Sequence, residues 1–353
     1  LFRTAFAKGR MAISVGIVGA SGYTGSELLR YLAQHPSFKP QVVTADTQAG
    51  KYVRELFPHL VTYGDMQLAS LAEAQERLAW CDLVFIALPH GEAMKVAPSL
   101  KNPVVIDLGG DFRLRDKSLY ESWYRTGHTA EHDLPHWIYG LPELFRTEIV
   151  GAKRIANPGC YATAAILSAA PLVKAGIIEG ALSCIGMSGH SGAGKVPKES
   201  SHFPHAHENI QAYKVATHQH TPEIEQALSR YASREVQVSF VPHLVPLSRG
   251  IFMTTTAALS RSITSEELFD IFTAHYHAAP LVSVERREIG TKEVRGSASV
   301  RITPYLDIRT QQVIITTVID NLGKGAAAQA IQNANIALGH EECAGLILDG
   351  VYP

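Results

Sequence analysis

The sequence predicts an α/β fold: a doubly wound parallel-sheet domain followed by an α+β domain. Three observations carry that prediction. Short continuous apolar runs, ISVGIV (13–18), DLVFIAL (82–88) and PVVIDL (103–108), alternate with stretches of helical length. Runs of this kind form strands buried on both faces beneath covering helices. A glycine-rich turn separates the first strand from the first helix. Later, VQVSFV (236–241), FMTTTAAL (252–259), SASVRIT (297–303) and QVIITTVI (312–319) have the alternation of an antiparallel or mixed sheet.

Taken in order, the first strand leads into a helix from Tyr23 to about Gln34, and QVVTA (41–45) supplies the next strand. Residues 119–144 are irregular, with Trp123, Trp137 and several Tyr and His, and they end in YGLPE (139–143). After RIANPG (154–159) a helix of small residues runs from Cys160 to about Lys174. Thr221 followed by Pro222 predicts another helix start, with Thr221 as N-cap and Pro222 in the first turn. The segment GAAAQAIQNANIALG (325–339) predicts a last helix that packs back onto the first domain. The 353 residues fit two domains at roughly 150 residues each. The expected division is 11–157 for the dinucleotide-binding, Rossmann-type domain, to which a C-terminal helix, 324–353, returns, and 158–323 for a catalytic and dimerisation domain.

Composition narrows the function. The 32 basic and 33 acidic residues leave a formal charge of −1, so no broad positive field exists to draw in nucleic acid or an anionic membrane. Hydrophobic residues make up 46% and charged residues 18%, enough apolar surface for a sizeable core. The longest apolar stretch, Ala162–Val173, is well short of the ~20 residues that span a bilayer, and Ser168 and Pro171 interrupt it. Residues 1–10 are basic and lack acids and a signal-peptide apolar core. They fit an expression remnant, a start upstream of Met11, or the stump of a transit peptide. The expected location is therefore the cytoplasm, or a plastid in the last case. Four widely spaced cysteines, Cys81, Cys160, Cys184 and Cys343, indicate neither a disulfide framework nor a zinc ribbon.

Gly19, Gly22 and Gly25, with Ser21, Tyr23 and Thr24 between them, follow a strand and open a helix. That is the order a dinucleotide pyrophosphate requires, because glycines admit close approach and helix-terminal amides meet the charge. The spacing is G-x-x-G-x-x-G rather than G-x-G-x-x-G. After the second strand, Asp46 stands where an acid binds the ribose hydroxyl of NAD. Thr44, Thr47 and Lys51 offer partners for the extra phosphate of NADP, and the residue chemistry leaves the two cofactors open.

Cys160 follows Asn-Pro-Gly at the start of a helix, where the dipole and free amides lower a thiol pKa. It is either a nucleophile or a small packed hydrophobe. His218 and His220 flank one residue ahead of the Thr221 cap and suit general acid/base chemistry. Gly189–Lys195 has Walker A spacing, but Val196 replaces the magnesium-binding hydroxyl and Pro197 disrupts the helix start. An anion-binding glycine loop with Lys195 remains plausible. His202, His205 and His207 lack the further ligands of a metal site, and no metal is expected.

These motifs in this order, GASGYTG (19–25), ALPHG (87–91), GGDFRL (109–114), YGLPE, NPGCYAT (157–163), SGHSGAGK (188–195), HQHTPE (218–223), VPLSRGI (245–251) and DNLGKG (320–325), resemble the N-acetyl-γ-glutamyl-phosphate reductase family of the semialdehyde dehydrogenase superfamily. The resemblance implies NADP(H)-dependent reduction of a small acyl phosphate in arginine biosynthesis, and it implies a set of site residues. Cys160 is then the nucleophile and His220 or His218 the acid/base, with His220 favoured for its place beside the cap. Gly19 to Gly25, Ser188, Gly189 and Asn321 would meet the cofactor. Arg113, Lys195, Arg249 and Glu223 would meet the substrate, although Arg113 has an alternative partner in Asp111. Asn321 and Lys324 would lie near the nicotinamide if the last segment returns to the first domain. The same resemblance implies a homo-oligomer, dimer or tetramer, and no nucleic-acid or membrane partner. An aspartyl phosphate reductase and a non-catalytic dinucleotide sensor are the competing expectations.

Overall fold

The computed structural model describes residues 12–101 and 103–353; expectations about residues 1–10 lie outside the described residues. The first apolar run is β1 (Ile13–Val18), and the glycine turn delivers α1 (Tyr23–Leu32). Then come β2 (Phe38–Thr44), α2 (Val53–Leu56), α3 (Leu71–Ala79), β3 (Leu83–Ile86), α4 (Ala93–Val96) and β4 (Val104–Asp107). A longer excursion contains α5 (Lys117–Tyr124), β5 (Ile138–Tyr139), α6 (Pro142–Ile149) and β6 (Arg154–Ala156). The six strands form one parallel sheet in the order β2-β1-β3-β4-β6-β5. Alternation along β3 shows why its run is wholly apolar. Leu83 and Phe85 join one buried cluster with Leu28, Leu29 and Ile331, while Val84 and Ile86 join another with Leu78, Met94 and Tyr120.

The chain then enters α7 (Cys160–Ala175), followed by β7 (Ile178–Gly189), α8 (Phe203–Ala206), β8 (Gln211–Ala212), α9 (His220–Ala232), β9 (Val238–Val245) and β10 (Ile251–Leu259). It continues through α10 (Ser265–Tyr276), β11 (Val282–Val284), β12 (Val300–Asp307), β13 (Gln312–Ile319) and α11 (Ala328–Ala337). The seven strands form a mixed sheet, β11-β12-β13-β10-β7-β9-β8, with parallel pairs at β7–β9 and β11–β12. Helix α7 lies between this sheet and α9 and shares its core cluster. A helix enclosed on all sides needs small side chains rather than one apolar face, which accounts for its run of alanines. The opposite face of the sheet is open, with Ile185, Met187 and Tyr305 exposed.

Two local expectations are corrected. Thr221 is not the N-cap of α9: the helix begins at His220 with Gln219 in the cap position, and the Thr221 hydroxyl is buried without a partner. The reason is that the 218–221 turn is already formed, by Thr221 N–H to the His218 carbonyl and His220 N–H to His218 Nδ1. The last helix does not start as an α-helix and does not extend to 353. Residues Gly323–Ala327 form a π-turn, in which Gly325 N–H bonds Asp320 O and Ala327 N–H bonds Leu322 O. After α11 the chain runs irregularly beside residues 295–298, bonding through Ala298 to Ile347 and Val351 to Arg295. Helix α11 itself packs in the cluster beneath the parallel sheet with Val15, Phe85 and Ile106.

Candidate active site

The glycine turn is built from two glycines that the fold demands and one that it leaves free. Gly19 has φ +89, and a Cβ there would sit 2.5 Å from the Ala87 carbonyl oxygen; a Cβ at Gly25 would sit 2.6 Å from Ala20 Cα. Gly22 faces open space and occupies the N-cap of α1, which has neither a side-chain cap nor an acid in its first turn. Unsatisfied amides beside an open glycine suit a pyrophosphate. Ser21, Tyr23 and Thr24 line this turn, and Lys195 reaches it from the second half of the chain. Its ammonium donates to the Ser21 carbonyl at 3.2 Å and sits 4.5 Å from the centre of the Phe57 ring. Lys195, expected at the substrate, therefore stands over the glycine turn.

Asp46 is exposed, and one of its two carboxylate oxygens already has a backbone partner. Its Oδ1 accepts the Leu71 N–H at 2.6 Å, at the start of α3. Ser188, Gly189 and Asn321 lie together at one end of the mixed sheet. Gly189 N–H bonds the Gly250 carbonyl, Asn321 Oδ1 accepts Gly250 N–H at 2.7 Å, and Asn321 Nδ2 donates to Ser191 Oγ at 2.9 Å. The Ser188 hydroxyl turns to the Gly189 carbonyl. Lys324 is wholly buried and pairs with Glu143 at 2.7 Å and Gln332 at 2.6 Å, so its ammonium is held away from any ligand.

At the start of α7, Gly159 precedes Cys160 and holds the centre of the site. Asn157 N–H bonds the Asp107 carbonyl at the end of β4, and Gly159 N–H donates to Glu223 Oε1 at 2.8 Å. Glu223 is fully buried and also accepts the Tyr139 hydroxyl at 2.8 Å. Its carboxylate is thus spent on the frame around Cys160 rather than on substrate. Arg113 does not pair with Asp111, whose carboxylate accepts Gly91 and Met94 N–H and the Tyr120 hydroxyl. Instead Arg113 donates from Nε to Asn157 O at 2.8 Å and from Nη2 to Leu108 O at 2.9 Å. Its Nη1 lies 3.5 Å from both His220 Nε2 and Glu223 Oε2. A Cβ on Gly159 would sit 2.6 Å from His220 Cε1 and 2.8 Å from Arg113 Nη1. The imidazole and guanidinium therefore lie against the residue that precedes the thiol.

Electrostatics corrects the expectation for Cys160. Burial pushes its thiol up to about 11 and outweighs the lowering by the Arg113 charge and the helix-start amides. Burial likewise holds His220 well below its ordinary range, reinforced by His218 and Arg113, and takes His218 down to about 3. Both groups are neutral without ligand, and His220 can accept a proton. Arg113 Nη1 lies 3.5 Å from His220 Nε2, and His220 Nδ1 is buried without a partner among the described residues. The two histidines differ in freedom, since His218 Nδ1 already accepts the His220 N–H at 3.1 Å.

Sequence reasoning missed three groups here. The charge of Lys214 acts on His218 and His220, and its ammonium donates to Gln219 Oε1 at 3.0 Å; its φ of +46 lies in the left-handed region, and no motif marks it. His90, in ALPHG, packs edge-on against Tyr124 with ring centres 5.1 Å apart. Asp107, at the end of β4, is pushed up to about 7 by burial and then Asp111, and one of its carboxylate oxygens has no partner. Among the described residues no three His, Cys, Asp or Glu side chains are grouped to hold a metal.

Residues 14–152 match the model of the semialdehyde dehydrogenase NAD binding domain, and 160–321 match the semialdehyde dehydrogenase dimerisation domain. An N-acetyl-gamma-glutamyl-phosphate reductase of Symbiobacterium thermophilum is 47% identical over 352 residues, covering 97% of this chain and 100% of the relative. The chain belongs to the N-acetyl-γ-glutamyl-phosphate reductase family. A Clostridium novyi member is 40% identical over 95% of this chain and 98% of its own. Among solved structures, aspartate semialdehyde dehydrogenase II from Vibrio cholerae, complexed with ASA, superposes with a TM-score of 0.72 at 18% identity, covering 94% of this chain and 99% of that one. The Candida albicans enzyme with NADP has a TM-score of 0.69 at 18% identity, covering 92% and 98%. At that identity the structural neighbours establish the two-domain semialdehyde dehydrogenase fold that this family member adopts.

Proposed function

We propose that the chain reduces N-acetyl-L-glutamyl 5-phosphate to the 5-semialdehyde with NADPH, releasing phosphate, in arginine biosynthesis. The observation that carries this reading is the packing of His220 and Arg113 against Gly159, immediately before Cys160 at the head of α7. A neutral His220 takes the thiol proton, and the Arg113 charge stabilises the thiolate that remains. The thiolate sulfur attacks the acyl carbon, the bond from that carbon to the phosphate oxygen breaks, and the proton on His220 passes to the departing phosphate. The product is a thioester on Cys160. The glycine turn, with Lys195, would hold NADPH, which when bound supplies hydride to the thioester carbon. Arg113 Nη1 stabilises the oxyanion there, and collapse expels the Cys160 thiolate with the aldehyde. Lys214, whose charge acts on both histidines, supports binding of the anionic substrate.

Replacing Cys160 with Ser tests this directly: NADPH oxidation with the acyl phosphate is abolished while NADPH binding persists, and retained turnover overturns the reading. Parallel rates with aspartyl phosphate separate the competing substrate, whose preference would replace the N-acetylglutamyl assignment.

We also infer a homodimer through the open face of the second sheet. Support comes from the exposed Ile185, Met187 and Tyr305 and from the dimerisation-domain match. Sedimentation of the full chain gives the mass of a dimer or larger oligomer if this holds, and of a single chain if it does not. The dinucleotide-binding and catalytic units are taken as 11–157 with 324–353, and 158–323. A cytoplasmic location is supported by four free cysteines and by the absence, among the described residues, of a helix long and apolar enough to cross a membrane.

A further inference from the structure

An arginine outside the reacting groups ties the helix of the glycine turn to the wall of the thiol site. Arg249 donates to Glu27 of α1 at 2.6 and 3.2 Å, and to Asp320 at 2.8 and 2.9 Å. Glu27 also takes Arg30 at 2.7 and 3.1 Å, so two guanidiniums meet two nearly buried carboxylates and the charges balance. Asp320 is completely buried and caps the head of the π-turn, accepting Leu322 N–H at 2.9 Å and Gly323 N–H at 2.7 Å, with Gly296 N–H at 2.6 Å besides. The π-turn is in turn the wall of the nucleophile. A Cβ on Gly325 would stand 2.8 Å from Cys160 Cβ, and Asn157 Nδ2 donates to the Ala326 carbonyl at 3.2 Å. A wide turn of this kind is a local departure from helical winding that needs outside support to persist, and such turns recur at functional sites. Lys324 pins its far side to Glu143.

A planar fork is the side chain that can serve both carboxylates at once: the Arg249 donors divide between Glu27 and Asp320, whereas an ammonium is a point charge. The family resemblance places Arg249 at the substrate, but these four hydrogen bonds commit its guanidinium to protein groups.

We propose that Arg249 is a positioning residue that sets the separation between α1 and the π-turn, and thereby aligns the cofactor bound at the glycine turn with the thioester on Cys160. This rests on the Cys160 reading of the function. Acylation uses the thiol, His220 and Arg113, and cofactor binding uses the glycine turn with Lys195; hydride transfer needs both in register.

The test uses Arg249→Lys in the full chain and reads three quantities: the burst of phosphate released from N-acetylglutamyl phosphate without NADPH, NADPH affinity by fluorescence, and steady-state turnover. The burst and the affinity stay within about twofold of the parent, while turnover falls about 100-fold, the scale of a misplacement near 1 Å. Turnover that stays near the parent value overturns the proposal, as does a burst or an affinity that falls in step with turnover. Should Arg249→Lys not fold, Glu27→Gln frees α1 while leaving Arg249 on Asp320, and the same three readouts then support or overturn the proposal in the same way. A parent enzyme that gives no phosphate burst sinks the Cys160 reading itself, which keeps the two failures distinct.

Discussion

Gly159→Ala isolates the packing at the centre of the site. Gly159 has φ −70 and ψ 151, a conformation alanine adopts without strain, so the added methyl group is the whole perturbation. That methyl carbon would lie 2.6 Å from His220 Cε1 and 2.8 Å from Arg113 Nη1, where ordinary contact begins at 3.4 Å. His220 Nε2 is nearer still, so the ring must retreat by about 1 Å or more, a misplacement on the scale that costs on the order of 100-fold in rate when geometry is set for reaction. Arg113 has little room to yield, because its Nε and Nη2 are bonded to the Asn157 and Leu108 carbonyls. Overpacking adds about 1–3 kcal/mol of lost stability. Stopped-flow measurement of the phosphate burst, together with chemical denaturation, reads the two effects separately. A variant that keeps its burst rate within about threefold would refute the claim that His220 is held in place against Gly159.

The remaining predictions concern charge. Lys195→Ala raises the KM for NADPH with little change in kcat, whereas Lys214→Ala raises the KM for acyl phosphate by about tenfold, the scale of a single charge-assisted contact; initial-rate kinetics that exchange the two effects would show the lysines misassigned. Stability also depends on buried histidines. Burial lowers His218 to about 3 and His35 to about 4, so below their unfolded pKa near 6.5 the unfolded chain takes up protons that the folded chain refuses. Their stabilisation is present in full above pH 6.5 and declines as pH falls towards 4. Denaturation at pH 7 and pH 5 differs by up to about 2 kcal/mol for each such histidine, and coincident curves would count against their neutral burial.

Local chemistry in the sequence was enough to reveal the architecture and the outline of the site. Wholly apolar runs such as 83–86 mark strands covered on both faces, and the positive φ of Gly19 and the close contacts of Gly19 and Gly25 belong to a turn whose glycines are already visible in sequence. Cys160 after Pro-Gly reads as a helix start from neighbouring residues alone, and α7 begins there. These signals need no knowledge of what lies across the fold. The Thr221 cap failed at the same scale, because the 218–221 turn uses a histidine ring nitrogen and a carbonyl that ordinary capping statistics do not weigh.

Tertiary structure decided which partner each charged group takes and how each titrates. Arg249 meets Glu27 across 222 positions and Arg113 meets Glu223 across 110, and nothing in either local sequence favours those carboxylates over others. Lys195 goes to the glycine turn, while Lys214, which no motif marks, goes to Gln219 and brings its charge to bear on the histidines. The thiol shows the reason most plainly. A helix start lowers the pKa of Cys160 and can be read from its neighbours, but desolvation raises it further and exists only once both domains have closed around it.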